Sequence, residues 1–93
     1  MIRVTVWNEY FHERVEDSIR AVYPNGIHEC IREFLQDDEI TVRTATLDMP
    51  ECGLTQEVLD NTDVLIWWGH VKHNEVPDEI VDRVQKRIWE GMG

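Results

Sequence analysis

Hydrophobic residues follow two patterns along this chain, and both predict β-strands. Apolar and polar residues alternate through residues 2–6 and again through residues 40–44. A period of two is typical of a strand with one apolar face. Residues 64–68 form an unbroken apolar run instead, which is typical of a parallel strand covered on both faces. The sequence therefore predicts three strands.

Apolar residues at spacings of three and four predict helices between and after these strands. The first such face follows Pro24 and consists of Ile27, Cys30, Ile31, Phe34 and Leu35. The second follows Pro77 and consists of Ile80, Val81, Val84 and Ile88. A shorter helix can begin after Thr55, whose side chain is a good N-cap, and run to Asp60.

The order of these elements predicts an α/β fold with a doubly wound parallel sheet. Right-handed crossovers between the strands give the strand order 2-1-3, with the alternating second strand at an edge. The sequence stops at residues 90–93, where a helix C-terminus would lead into a fourth strand. We therefore expect residues 1–93 to be the N-terminal part of a single domain, cut off before its sheet is complete.

Charge and composition narrow the classes of partner. The chain has 19 acidic and 9 basic side chains and a formal charge of −10, which repels nucleic acid and anionic lipid. No apolar run reaches the length of a membrane span, and the first residues lack a signal-peptide layout. The two cysteines have no CxxC spacing, which fits a reducing compartment. We expect a cytoplasmic protein without nucleic-acid or membrane partners.

Polar residues follow the first and third strands, whose carboxyl ends should meet at one edge of the sheet. This edge is where open parallel sheets bind ligands. His70 is the best candidate for a general acid or base, with Glu9 as its carboxylate partner, because an imidazole beside a carboxylate titrates near neutrality. The candidate substrate-binding residues at the same edge are Trp7, Asn8, His12, Trp68 and Gly69.

Several of these residues also have plainer interpretations. Gly69 either exposes backbone amides to an oxygen atom or makes an ordinary turn after the strand. Core packing accounts for at least one of the tryptophans, because neighbouring strand residues face opposite sides of a sheet. Cys30 lies on the apolar helix face and is expected in the core, whereas Cys52 precedes a helix N-terminus, an arrangement that can lower a thiol pKa.

Zinc is a candidate cofactor. His70 and His73 are spaced i, i+3 and, together with Glu9 or His12, would supply three ligands and leave an open coordination position. Against this, the spacing is not a strong zinc signature, and the histidines can be ordinary loop residues. Neither GxGxxG nor GxxxxGK[ST] occurs, so nothing in the sequence supports nucleotide binding.

Four segments resemble the ThuA-like (trehalose utilisation) family in order and separation: VTVWNEY at 4–10, YPNGIH at 23–28, RTATLD at 43–48 and DVLIWWGH at 63–70. The resemblance implies a flavodoxin-like three-layer sandwich similar to class I glutamine amidotransferases. It also implies that Gly69 and His70 correspond to an oxyanion-hole loop. The cysteine nucleophile of those relatives would lie beyond Gly93.

This resemblance implies that the parent protein acts on a sugar or keto-sugar at a cleft between the first and third strands. A non-catalytic sugar-binding domain and an inactive truncated remnant are the alternatives, so the sequence leaves open whether the chain is an enzyme. The expected partner is a small sugar or sugar derivative. An exposed third strand would also favour self-association.

Overall fold

The chain forms a three-stranded parallel sheet with helices on both faces, in a computed structural model that describes residues 1–69 and 72–93. The side chains of His12 and His73 are also outside the description. The strands are β1 (Ile2–Asn8), β2 (Ile40–Thr46) and β3 (Val64–Trp68), in the order β2-β1-β3. Both outer strands run parallel to β1. This confirms the predicted flavodoxin-like α/β class and strand order.

The described part of the chain contains five α-helices. They are α1 (His12–Val15), α2 (Asp17–Val22), α3 (Ile27–Leu35), α4 (Gln56–Asp60) and α5 (Asp78–Trp89), with short 3-10 turns at Pro50–Gly53 and His73–Glu75. The predicted N-cap of α4 is confirmed, because the Thr55 hydroxyl accepts the N–H of Val58. Within the described residues, no helix has the length and hydropathy needed to cross a membrane.

One face of the sheet is covered by α3. Val4, Val6 and Val42 form its buried cluster, with Ile31 and Leu35 packed on them. The predicted α3 face is wrong in part, because Cys30 is exposed rather than buried and Phe34 is 83% exposed. The helix turns His28 towards the sheet instead, where the ring is buried in a polar network. The polar contacts of the buried His28 side chain, and not the apolar pattern of the helix alone, therefore set which face of α3 packs on the sheet.

The other face is covered by α4 and α5, and Trp7 is at its centre. Trp7 is fully buried, its ring stacks on Trp67 at 4.0 Å, and its indole N–H donates to the Cys52 carbonyl at 3.1 Å. On the same face, the hydroxyls of Thr5 and Thr62 lie 2.7 Å apart. Trp7 therefore has the surroundings of a core residue.

β3 lies at an edge of the described sheet and is less covered than its apolar run predicts. Trp67 and Trp68 are 37% and 45% exposed. Gly93 donates to the Asp63 carbonyl at 3.0 Å and accepts the N–H of Leu65 at 2.9 Å. These two bonds are the pattern of a parallel bridge opposite residue 64. Beyond that bridge, no described strand pairs with the outer edge of β3.

Candidate functional site

The chain leaves β1 through a strained residue. Tyr10 has φ of 55°, a left-handed conformation that costs a side-chain-bearing residue about 1–2 kcal/mol. In this conformation its ring packs edge-on against His28, with centroids 4.9 Å apart, and the Arg14 guanidinium lies 5.3 Å from its centroid. Strain of this kind persists where the surrounding structure enforces it, often at functional sites.

Glu9 is a buried carboxylate at the end of β1, with 4% of its surface exposed. Its Oε2 accepts the backbone N–H of Lys72 at 2.7 Å, and its own N–H donates to the Trp68 carbonyl at 3.3 Å. One backbone–backbone bond thus connects Glu9 to the end of β3, and one backbone–side-chain bond connects it to the segment that follows. The predicted convergence of the carboxyl ends of β1 and β3 is present in the structure.

On the opposite face of β1, Asn8 is the centre of a buried polar network. Its Nδ2 donates to Oε2 of Glu13 at 2.6 Å and lies 3.1 Å from Nδ1 of His28. The same Glu13 oxygen accepts the N–H of Ile27 at 3.1 Å. Oδ1 of Asn8 is buried without a hydrogen-bond partner in the described part of the chain. The network fixes the His28 ring beside the carboxyl end of β1.

His28 and Asp48, which lie at this edge, have shifted pKa values. Burial lowers the pKa of His28, and the nearby carboxylates of Glu29, Glu13 and Asp48 only partly offset this effect. The Thr46 hydroxyl, which donates to Asp48, and the Arg14 guanidinium at 2.9 Å hold the pKa of Asp48 below its usual value. At neutral pH the edge therefore presents a neutral imidazole and an ionised carboxylate.

Among the described residues, Tyr10 and Asp48 line two clefts at this edge. The first cleft has a volume of about 530 Å³ and its wall includes Glu9, Phe11 and Arg14. The second cleft has a volume of about 450 Å³ and its wall includes His28 on the α3 side of the sheet. Both volumes are within the usual range for small-molecule sites.

The structure places the predicted site residues unequally. Glu9 lines the first cleft. Asn8 contacts His28, which lines the second cleft. Trp68 is the last residue of β3, and Gly69 follows it. Trp7 is enclosed in the core and reaches neither cleft. His70 lies outside the described residues. His12 belongs to α1 and His73 to a 3-10 turn, and their side chains are not described. The roles predicted for these histidines stay predictions.

Sequence reasoning missed the residues that surround His28. Glu13, Tyr10 and Asp48 were not candidates, although YPNGIH at 23–28 contributed to the family resemblance. The sequence does place a glycine, Gly26, beside this histidine. The structure shows why: Gly26 has φ of 92°, and a Cβ on it would overlap the His28 and Tyr10 rings. A glycine at this position leaves room for the histidine ring, but this contact is visible only in the structure.

Cysteine and metal chemistry receive no support from the described residues. Cys52 is buried, and desolvation raises the pKa of its thiol instead of lowering it as the position before a helix suggested. No group of three histidine, cysteine or acidic side chains in residues 1–69 and 72–93, His12 and His73 apart, can hold a metal. The side chains of the predicted zinc ligands His70 and His73 lie outside the described part of the chain.

Comparison with known proteins identifies the family of the chain. No curated protein matches the chain. A family model described as ThuA, trehalose utilisation, matches residues 3–93. This match includes all three strands, both clefts and the Glu9 carboxylate. The chain belongs to the ThuA (trehalose utilisation) family.

Proposed function

We propose that the first cleft binds a sugar or keto-sugar. The observation that carries the proposal is the buried Glu9 carboxylate, which the Lys72 backbone holds at the wall of a cleft that also has aromatic residues. A sugar presents hydroxyl donors to a carboxylate and an apolar C–H face to an aromatic ring. Tyr10 and Phe11 supply the rings. The family's association with trehalose utilisation supports the same ligand class.

The charges around the first cleft suit a neutral ligand. Arg14 pairs with Asp48 at 2.9 Å, and the Lys72 ammonium pairs with Glu75 at 3.1 Å. The Lys72 ammonium also lies 4.9 Å from the centroid of the Phe11 ring. These cations are already neutralised and can still donate further hydrogen bonds to ligand hydroxyls.

We further propose that Glu9 and His70 act together as general acid and base. A carboxylate beside an imidazole can remove a proton from a sugar hydroxyl, or from the carbon next to a keto group, and return it later. A non-catalytic sugar-binding domain is the second candidate. It would use the same Glu9 carboxylate and aromatic rings to hold the sugar without any proton transfer. Turnover separates the two candidates.

The test compares Glu9→Gln with Glu57→Gln in a calorimetric titration with trehalose and glucose. Glutamine keeps an acceptor for the Lys72 N–H, so the cleft is expected to survive while its negative charge is lost. Hydrogen bonds to charged groups contribute about 1.5–3 kcal/mol, which corresponds to roughly 10- to 100-fold weaker binding. Glu57 is exposed on α4 and is the matched control. Equal affinity of both variants would contradict the proposal.

The catalytic part needs its own measurement. His70→Ala is expected to abolish turnover of the sugar while changing the melting temperature little, because the predicted role of this imidazole is in proton transfer and not in packing. Binding without turnover in the wild-type chain would favour the second candidate. A large loss of stability with ligand affinity intact would show that His70 has a structural role.

A further inference from the structure

His28 has one ring nitrogen whose role is fixed by its surroundings. Each hydrogen of the Asn8 amide has a partner: one is donated to Glu13 at 2.6 Å and the other points to Nδ1 of His28 at 3.1 Å. The reverse orientation of the amide would place its oxygen against the Glu13 carboxylate, which is unfavourable. Nδ1 of a neutral ring must then accept, so Nε2 carries the hydrogen.

The ring is also held in place by packing. Tyr10 lies edge-on against it, and the Cα of Gly26 approaches so closely that no Cβ would fit beside the imidazole. Nε2 has no hydrogen-bond partner among the described residues, and His28 is part of the second cleft's wall. The Nε2–H of His28 is therefore a hydrogen-bond donor of fixed position at the wall of the second cleft.

The charges of the second cleft select against anionic ligands. Arg32 is the basic residue of its wall, and its guanidinium is paired with Glu29 at 2.6 Å. Glu33 and Asp48 add two further carboxylates. A phosphate group would have to displace one of these carboxylates from its partner, whereas hydroxyl groups can donate to them.

We propose that the second cleft binds a sugar or polyol ring without phosphate, and that the Nε2–H of His28 donates a hydrogen bond to one of its oxygens. Asn8 and Glu13 are positioning residues, which hold the imidazole in the donor form. The ligand class rests on the proposed function of the neighbouring cleft. The position and tautomer of His28 do not depend on that proposal.

The tautomer is tested first, without ligand, by ¹⁵N NMR of the histidine rings in the whole chain at neutral pH. The expected result is a His28 ring protonated on Nε2 and unprotonated on Nδ1. A ring protonated on Nδ1, or on both nitrogens, would overturn the proposal whatever sugar binds elsewhere.

The ligand is tested by titrating trehalose, glucose and glucose 6-phosphate while the His28, Phe11 and Lys72 resonances are recorded. The unphosphorylated sugars are expected to shift His28. Shifts of Phe11 and Lys72 without any shift of His28 would overturn this inference alone and leave the proposed function intact. Binding of glucose 6-phosphate as tight as that of glucose would overturn the proposed selectivity. No binding of any sugar would overturn both proposals.

Two substitutions separate a donor from a merely structural ring. Glutamine places an amide N–H near the position of Nε2, whereas asparagine can replace only the contact made by Nδ1. His28→Gln is expected to retain most of the sugar affinity and His28→Asn to lose about five- to tenfold, as for one lost hydrogen bond. Equal affinities in two folded variants would contradict a donor at Nε2.

Discussion

The backbone N–H of Lys72 lies 2.7 Å from Oε2 of Glu9, although the two residues are 63 positions apart in the sequence. The contact joins the carboxylate that follows β1 to the segment that follows β3. It places the charge at the wall of the first cleft and fixes its orientation. We therefore expect Glu9 to stabilise the fold through this hydrogen bond and, under the proposed function, to bind the ligand as well.

The stabilising hydrogen bond predicts different outcomes for two substitutions of Glu9. Glu9→Ala leaves the Lys72 N–H without its acceptor and should lower the free energy of unfolding by about 1–3 kcal/mol. Glu9→Gln keeps an acceptor and should cost less. Urea denaturation of both variants measures the difference. An equal loss for alanine and glutamine would mean that the charge, and not the hydrogen bond, stabilises the fold.

Gly26 predicts a second stability difference. Gly26→Ala must tolerate φ of 92° and also an overlap with the His28 and Tyr10 rings. Gly91→Ala is the matched control, because Gly91 has φ of 112° but has no atom near the position of a Cβ. Backbone strain should cost each variant about 1–2 kcal/mol, and overpacking should add about 1–3 kcal/mol at Gly26 alone.

Thermal or urea unfolding of the two glycine variants checks this prediction. The Gly26 variant should be the less stable one, and its His28 ring resonances should move, because the added methyl group displaces the imidazole. Equal stabilities would contradict the close packing of residue 26 against the rings.

Asp63 predicts how stability depends on pH in the acid range. The hydrogen bonds from the Arg3 side chain and backbone lower the pKa of its carboxyl from 3.8 to about 2. Because the folded-state pKa is depressed, this contribution is present above pH 3.8 and is lost as the pH falls towards 2. Asp63→Asn should remove that part of the slope of stability against pH. Arg3→Gln should move the Asp63 transition, followed by NMR, towards its usual range.

The sequence was sufficient for the sheet but not for the whole site. The periods of residues 2–6 and 40–44 and the apolar run at 64–68 predict all three strands, because strand patterns are local. The order of the strands follows from right-handed crossovers and from the edge character of the second strand. Glu9 was predicted in the same way, as a polar residue directly after β1, and its role stays a prediction although the residue lines the first cleft. His28 was missed because its helix face is set by contacts with Asn8 and Gly26, which are tertiary and leave no local period.

Trp7 was predicted to bind ligand, but the structure encloses it in the core. Its place next to polar residues at the end of β1 suggested ligand binding, but alternation along β1 turns it to the α5 face, where the core encloses it. The face of β1 that carries Trp7 begins with the polar residues Arg3 and Thr5, so the alternation of residues 2–6 gave no sign that this face is also buried.

Zinc binding is a further prediction, and no observation on the described residues tests it. Zinc should remain bound after dialysis only when both His70 and His73 are present, since each would supply one of about three protein ligands. Zinc content is measured by atomic absorption. His28→Gln is the control: it also lacks one histidine, but it should keep its zinc. Equal zinc content in His73→Ala and the wild type would retire the idea.

Exposed apolar side chains lie between β3 and α5, and we predict that the 93-residue chain self-associates through this surface. Trp67 and Ile88 are 37% and 53% exposed there, and Val81 lies beside them. The Leu65 N–H bonds outward to Gly93, so the Trp67 N–H two residues later also faces outward. Such an edge favours pairing between chains. Charge repulsion from a net −10 opposes this only over about 8 Å at physiological salt.

Sedimentation velocity over a range of concentrations measures this association. Ile88→Glu should shift the chain towards monomer. Phe34→Glu, which adds the same charge at an exposed apolar residue of α3, should leave the association unchanged. A wild-type chain that stays monomeric at every concentration would contradict the prediction.

The most direct test of the central claim, that the carboxyl edge of β1 binds a sugar, is an NMR-detected titration of the ¹⁵N-labelled chain with trehalose. Saturable shifts are expected at Tyr10, Phe11 and Lys72, around the first cleft. They should be lost in Glu9→Gln but not in Glu57→Gln. Shifts confined to other surfaces, or no saturable shift at millimolar trehalose and glucose, would contradict the claim.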